Sequence, residues 1–169
     1  AKVYITSRKP DICEASAKAL SEFGECVALP AGLDSPEAIV DLADRFKAHE
    51  SQLDILINNA GRTWGAPLES FPDKAWAPIM AVNVQGPFTL IRELLPQLKK
   101  SGEADGLDPA RIINIGSLAG KLAEPLQAYS YVSSKAAIHH LTKVLAADLA
   151  GDNITANAVV PGYFPTGMT

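Results

Sequence analysis

The sequence predicts an α/β fold, a parallel sheet with helices on both faces, on three observations. Short β-branched runs alternate with longer stretches of helical periodicity in the order βαβαβαβαβ, which implies parallel strands joined by crossover helices. Leu53 to Ile57 (LDILI) is mostly apolar, as a buried parallel strand requires. It leads directly into Asn58-Asn59-Ala60-Gly61, and turn residues after a parallel strand often form a ligand-binding edge.

Each element has its own signature. Lys2 to Thr6 (KVYIT) is β-branched and aromatic, hence a strand. Ile12, Ala15, Ala19, Leu20 and Phe23 then recur at helical spacing, and Gly24 closes that helix. Cys26 to Leu29 is a second strand. Ser35-Pro36-Glu37 sets a cap, a first-turn proline and an acidic residue at the start of a helix running to about Glu50. After Leu53 to Ile57, a loop carries Trp64, Gly65 and Pro67. A long helical region follows from about Asp73 to Lys100, and Pro78 and Pro87 within it argue for a bend or break. Ser101 to Pro109 is polar and linker-like, expected to lie exposed. Arg111 to Ile115 (RIINI) is the fourth strand. A helix from near Tyr131 sets Ile138, Leu141, Leu145 and Leu149 on one side and ends at Gly151, and Ile154 to Val160 is the last strand, stopped by Pro161-Gly162. With no internal repeat or low-complexity tract, residues 1–169 read as a single, incomplete domain.

Composition narrows the class of partner. With 169 residues, 47% apolar and 20% charged, the chain has ordinary globular composition. A net charge of −4 without a Lys/Arg cluster argues against nucleic acid or an anionic membrane and leaves small molecules as the expected ligands. Cys13 and Cys26 read as reduced thiols of a cytoplasmic protein. No run approaches the length of a membrane span and no signal-peptide pattern opens the chain. His139 and His140 are adjacent on a helix and diverge, so no metal site is expected, and surface or subunit-contact positions are expected instead.

The chemistry is concentrated at Tyr131, Lys135 and Ser117. Residues four apart share a helical face, so the Lys135 ammonium can favour ionisation of the Tyr131 phenol, lowering its pKa from about 10. Such a phenol can exchange a proton with an alcohol or carbonyl oxygen near neutral pH. Ser117, at the carboxyl end of the fourth strand, can hydrogen-bond the same oxygen.

These features, in order with Asn58-Asn59-Ala60-Gly61, Asn83 in Val82-Asn83-Val84-Gln85-Gly86, Ile115-Gly116-Ser117 and Pro161-Gly162 followed by Thr166, resemble the short-chain dehydrogenase/reductase family over almost the whole chain. The resemblance implies a Rossmann-like three-layer sheet and a nicotinamide cofactor. It implies Tyr131 as general acid/base, Ser117 as carbonyl-orienting donor, Lys135 lowering the tyrosine pKa while bonding the nicotinamide ribose, and Asn83 supporting a proton-relay water. Leu33, Asn59, Ala60 and Gly61 would line the adenosine side, and Pro161, Gly162, Phe164 and Thr166 the nicotinamide side. Rossmann sites that prefer NAD place an acidic residue after the strand that here ends at Thr6, whereas a basic one accommodates a 2′-phosphate. Ser7, Arg8 and Lys9 therefore point to NADPH, the guanidinium offering paired bonds to phosphate. Within the family the chain looks most like β-ketoacyl reductases of the rhamnolipid-synthesis type. That implies reduction of a ketone or 3-oxoacyl substrate, and a parent that assembles as a homodimer or homotetramer through the 73–100 and Tyr131 helices.

Three departures qualify the resemblance. The glycine-rich phosphate loop of the family is missing, with most of a βαβ unit of roughly 30 residues whose strand would sit between the strands at Lys2 and Leu53. The helix N-terminus that neutralises the cofactor pyrophosphate goes with it, so this chain alone is expected to bind NADPH poorly or not at all. Gly32 stands where the family usually has an acidic residue for the adenine amino group, with Asp34 nearby but out of register. The segment covering the substrate is also missing. The competing expectation is a non-catalytic remnant that keeps its helices for assembly.

Overall fold

The computed structural model describes residues 1–104, 108–123 and 125–163. In chain order the elements are β1 (Val3–Ile5), α1 (Pro10–Leu20), β2 (Cys26–Ala28), α2 (Pro36–His49), β3 (Ile55–Asn58), α3 (Trp76–Met80), α4 (Gly86–Ala104), β4 (Ala110–Ile115), α5 (Tyr129–Leu149) and β5 (Ile154–Val159). Every strand pairing is parallel, as alternation with helices demands. β1 pairs with β2, and β3, β4 and β5 form a second ladder in that order. β1 and β3 are not bonded to each other. The interruption falls where the family's strand order leaves room for one more strand.

The main core lies on one face of the β3–β5 ladder. Leu56, Ala110, Ile112, Ile154 and Ala156 meet Ile39, Leu42 and Phe46 of α2, Leu90, Ile91, Leu94 and Leu98 of α4, and Leu145 and Leu149 of α5. Each large apolar side chain withdrawn from water this way contributes about 1.5–3 kcal/mol. Strand alternation turns the neighbouring residues to the other face, where Ile55 and Ile57 stay 49% and 57% exposed. α1 stands apart from this core. Tyr4 packs edge-on against Phe46 at 5.0 Å, so Ile5 faces the opposite side, where its carbonyl accepts the Cys13 thiol of α1 at 3.4 Å. Right-handed crossovers that reverse direction after β2 require this placement of α1 and α2 on opposite faces.

Local rules explain where the helices begin. Ser35 accepts the Ala38 N–H at 3.2 Å, Pro36 fills the first turn, and Lys47 and His49 complement the last turn of α2. The expected periodicity of α1 is corrected. Its buried residues are Cys13 and Ala17, while Ile12, Leu20 and Phe23 are 53%, 47% and 89% exposed, because α1 rests on two short strands through small residues and no described element covers its apolar flank. Ile138, Leu145 and Leu149 are buried as the pattern of α5 requires, with Leu141 packed on the core.

The long helical region is broken, as its prolines require. A 3₁₀ turn at 73–75 leads into α3, residues 81–85 wind as one π turn, and Pro87 stands second in α4. Pro96, inside α4, was not singled out by its pattern. The linker expected at Ser101 to Pro109 is partly helix, since α4 continues to Ala104 and Ser101 is buried with its hydroxyl donating to Asp54. Both cysteines are free thiols, and no described helix is long and apolar enough to cross a membrane.

Ile112, fully buried at the centre of the ladder, is expected to cost about 2–5 kcal/mol when replaced by alanine. Phe23→Ser, at a site 89% exposed, is expected to fall within about 0.5 kcal/mol of the parent. Urea unfolding of both variants checks the contrast.

Candidate active site

Two glycines seat the end of β4 against α5. Beyond Ile115 the chain continues through Gly116 and Ser117 into a 3₁₀ turn, residues 118–120. A Cβ on Gly116 would collide with the His139 ring of α5, and one on Gly120 would lie 2.6–2.8 Å from the backbone of Lys135 and Ala136. Only residues without a side chain allow this approach. The other side of the loop is tied to β5, with Gly116 N–H donating to the Val159 carbonyl at 2.8 Å and Leu118 N–H to that of Pro161 at 2.9 Å. Ser117 is therefore held from both sides.

Lys135 and Tyr131 share a face of α5, the ammonium lying 5.7 Å from the centre of the phenol ring. Lys135 is only 5% exposed. Its Nζ donates to the Ile115 carbonyl at 2.7 Å, two residues before Ser117, and keeps two further N–H groups. Burial pushes its pKa below the ordinary lysine value, because a low-dielectric surrounding disfavours the charged form. Ser117 caps the 3₁₀ turn, its hydroxyl oxygen accepting the Ala119 N–H at 3.2 Å. Capping uses a lone pair, so the hydroxyl proton stays available to a second acceptor.

Asn83 sits in the π turn and is 2% exposed. Such turns recur at functional sites because they widen the helix and redirect a side chain. The Asn83 amide clamps the loop after β3: Oδ1 accepts the Arg62 N–H at 2.8 Å, and Nδ2 donates to the Arg62 carbonyl and to Ser134 Oγ, both at 2.9 Å. Ser134 in turn donates to the Tyr131 carbonyl at 2.7 Å. Gly61 completes the group, since a Cβ there would come within 3.8 Å of Lys135 Nζ and 3.9 Å of Asn83 Oδ1. Gly61, Asn83, Tyr131 and Lys135 thus converge, with Ser117 on the adjoining strand end. Both Asn83 donors are committed, so only Oδ1 retains capacity toward a water.

The remaining expected residues are distributed along the carboxyl ends of the strands. Ser7 is half-buried and Arg8 and Lys9 are exposed after β1, with neither cation in an ion pair among the described residues. Asn59 and Ala60 are exposed after β3. The Leu33 carbonyl rests against the start of α4, 2.8 Å from where a Cβ on Gly86 would be. Pro161 reaches the Ser117 loop through Leu118, and a Cβ on Gly162 would meet nothing within 4 Å among the described residues. Phe164 and Thr166 lie outside the described residues. Asp34, nearby but out of register in the sequence, places its Oδ1 2.9 Å from where a Cβ on Gly32 would be. The Asp34 carboxylate therefore occupies the space that a side chain at position 32 would take. Two cations outside any ion pair among the described residues, a carboxylate folded over Gly32 and side-chain-free backbone at Gly61 suit a flat, phosphorylated dinucleotide.

Sequence reasoning missed two supports of this site. Asn114, fully buried, accepts from Asn58 Nδ2 at 2.8 Å and donates to Thr142 at 2.9 Å, a polar rung joining β3, β4 and α5. An asparagine inside the apolar run RIINI was the available signal. His139, expected at a surface or subunit contact, is buried and accepts the Ser117 N–H; His140 is exposed as expected. Lying four residues after Lys135, His139 shares its helical face. Tyr129, two residues before Tyr131, packs edge-on against Phe71 at 5.2 Å, and Phe71 in turn against Trp76. A cavity of about 210 Å³ lined by residues 125–129 and Val132 lies just ahead of Tyr131.

The model of the short chain dehydrogenase family matches residues 1–169. A rhamnolipids biosynthesis 3-oxoacyl-[acyl-carrier-protein] reductase of Pseudomonas aeruginosa is 46% identical over 169 residues, all of this chain and 65% of that protein. A D-beta-hydroxybutyrate dehydrogenase of Rhizobium meliloti is 39% identical over 82% of this chain and 51% of its own length. Among solved structures, the RhlG/NADP active-site complex of Pseudomonas aeruginosa superposes with a TM-score of 0.95 at 45% identity, covering 99% of this chain and 65% of that one. A gluconate 5-dehydrogenase of Burkholderia cenocepacia in complex with NADP and tartrate gives 0.87 at 30% identity, over 98% of this chain and 63% of that one. The chain spans about two thirds or less of the length of these proteins.

Gly120→Ala is expected to destabilise the protein by about 1–3 kcal/mol, because the added methyl meets helix backbone that cannot give way. Gly151→Ala, where a Cβ meets nothing within 4 Å, is expected to change stability by less than about 1 kcal/mol. Thermal unfolding of the pair measures the difference.

Proposed function

The chain belongs to the short-chain dehydrogenase family, and from that we propose that it carries the catalytic machinery of an NADPH-dependent reductase acting on a ketone or 3-oxoacyl substrate. The carrying observation is the buried Lys135 ammonium, which lies 5.7 Å from the Tyr131 ring while bonded to the strand end that leads to Ser117. Bound NADPH supplies the hydride.

In this reading the substrate carbonyl oxygen accepts the Ser117 hydroxyl, whose own oxygen is already engaged by the Ala119 N–H and so is held in orientation. Tyr131 donates its proton to that oxygen as negative charge develops there, and the neighbouring ammonium of Lys135 stabilises the phenolate left behind. The two uncommitted N–H groups of Lys135 serve the nicotinamide ribose. A water on Asn83 Oδ1 would return a proton toward the lysine. Arg8 and Lys9 hold the 2′-phosphate and Asp34 the adenine amino group, while Leu33, Asn59, Ala60 and Gly61 line the adenosine. Pro161 and Gly162, with Phe164 and Thr166 further along the chain, line the nicotinamide. The NADP found with two of the similar structures supports this choice over NAD. Assembly of the parent belongs to the same reading. Phe88 on α4 and Val144 on α5 stay 42% and 51% exposed, apolar positions suited to a helix-to-helix contact between copies.

One observation favours the competing reading of a non-catalytic assembly module. β1 and β3 are unbonded, so the cofactor-facing edge is interrupted where the pyrophosphate would bind. NADPH oxidation with a panel of 3-oxoacyl thioesters and ketones separates the two readings, comparing this chain with a version extended by a glycine-rich βα unit. Turnover is expected from the extended version, and Tyr131→Phe in it is expected to lower the rate by about 10²–10⁴-fold. Arg8→Ala is expected to weaken NADPH at least about tenfold while sparing NADH, since each charge-assisted bond contributes roughly 1.5–3 kcal/mol. An inactive extended protein, or one indifferent to Tyr131→Phe, overturns the reductase reading.

A further inference from the structure

His139 has no part in the chemistry above, yet it is 8% exposed and touches the loop that carries Ser117. Its Nε2 lies 3.3 Å from the Ser117 backbone nitrogen and accepts that N–H. An accepting Nε2 in a neutral imidazole puts the ring proton on Nδ1, and Nδ1 is buried with no partner among the described residues. Burial of an unpaired donor costs about 1–3 kcal/mol, so the ring is kept there at a penalty. Gly116 makes the placement possible, because any Cβ at that position would occupy the space of the ring edge.

We propose that His139 is a positioning residue for Ser117: its neutral ring accepts the Ser117 N–H, fixes the serine relative to Tyr131 and Lys135, and releases it on protonation. A proton on Nε2 would set two donors against each other across the 3.3 Å contact. The charged groups acting on the ring are Lys121, just after the 3₁₀ turn, and Lys135 and Lys143 from α5, all cations. Burial first, and these charges next, push the His139 pKa below its ordinary value, so the accepting form prevails at neutral pH. The sign follows from linkage. The contribution of the bond is complete above about pH 6.5 and is lost as the pH falls from there through the depressed folded value. The geometry stands by itself, whereas its meaning for catalysis rests on the reductase reading.

Hydrogen exchange of the Ser117 amide tests the proposal without turnover. His139→Leu is expected to speed exchange at Ser117 at least about tenfold while the Ile112 and Ile113 amides of β4 keep their protection. His139→Gln, whose Oε1 can accept in place of Nε2, is expected to restore it. Unchanged Ser117 exchange in His139→Leu, or no recovery in His139→Gln, overturns the proposal. Should His139→Leu fail to fold, ¹⁵N spectra of the unaltered chain decide: the Ser117 amide must titrate with the same midpoint as the His139 ring, and an amide that stays constant through that transition overturns it. In the extended protein, kcat is expected to fall in His139→Leu and recover in His139→Gln with KM for NADPH nearly constant. An extended protein inactive in every form would count against the reductase reading alone.

Discussion

The bond from Lys135 to the Ile115 carbonyl is the interaction on which the rest of the site depends. An ammonium that is 5% exposed stays in place only if its lost hydration is replaced, and the free carbonyl at the end of β4 begins that replacement. The bond ties α5 to the end of β4, and with it Tyr131, one turn earlier on the same helical face. Gly116 and Gly120 are the steric complement of the same contact. Without them the helix could not come close enough for the lysine to reach.

Around that contact the protein has built a polar interior with few loose ends. Asn58, Asn114 and Thr142 form one chain of hydrogen bonds, and Arg62, Asn83 and Ser134 form another that reaches the Tyr131 backbone. Such networks stabilise little in net terms, because water would satisfy the same groups, but a member left unpaired is costly. Their value is therefore in specifying one arrangement: a rotated α5 or a slipped β4 would orphan several groups at once. The π turn at 81–85 serves the same end, directing Asn83 out of the α3–α4 axis toward the loop after β3.

Much of this was legible in the residues. The alternation of strand and helix, the Ser35 cap, and the four-residue spacing of Tyr131 and Lys135 depend on local rules, and the structure follows them. What escaped depended on who packs against whom. The apolar stripe of α1 looked like a buried face, but its neighbours are two three-residue strands, and the side chains they cover are Cys13 and Ala17. Ser101 looked like part of a linker because polar residues usually face water, yet Asp54 offered its hydroxyl a partner. The signal for His139 was its place one turn after Lys135 on the same helical face, and the room for its ring comes from Gly116, in the loop beyond β4. Asp34 stands two residues beyond Gly32 in the sequence, and only the folded chain shows its carboxylate turned back over that glycine.

The bare side of the β3–β5 ladder carries a consequence of another kind. Among the described residues, β3 offers an unpaired row of backbone donors and acceptors beside Ile55 and Ile57, both largely open to solvent. Backbone groups in such a row are satisfied only by water or by a strand laid alongside them. The same row can take one further parallel strand, and Ile55 and Ile57 supply the apolar face that a helix following such a strand would cover.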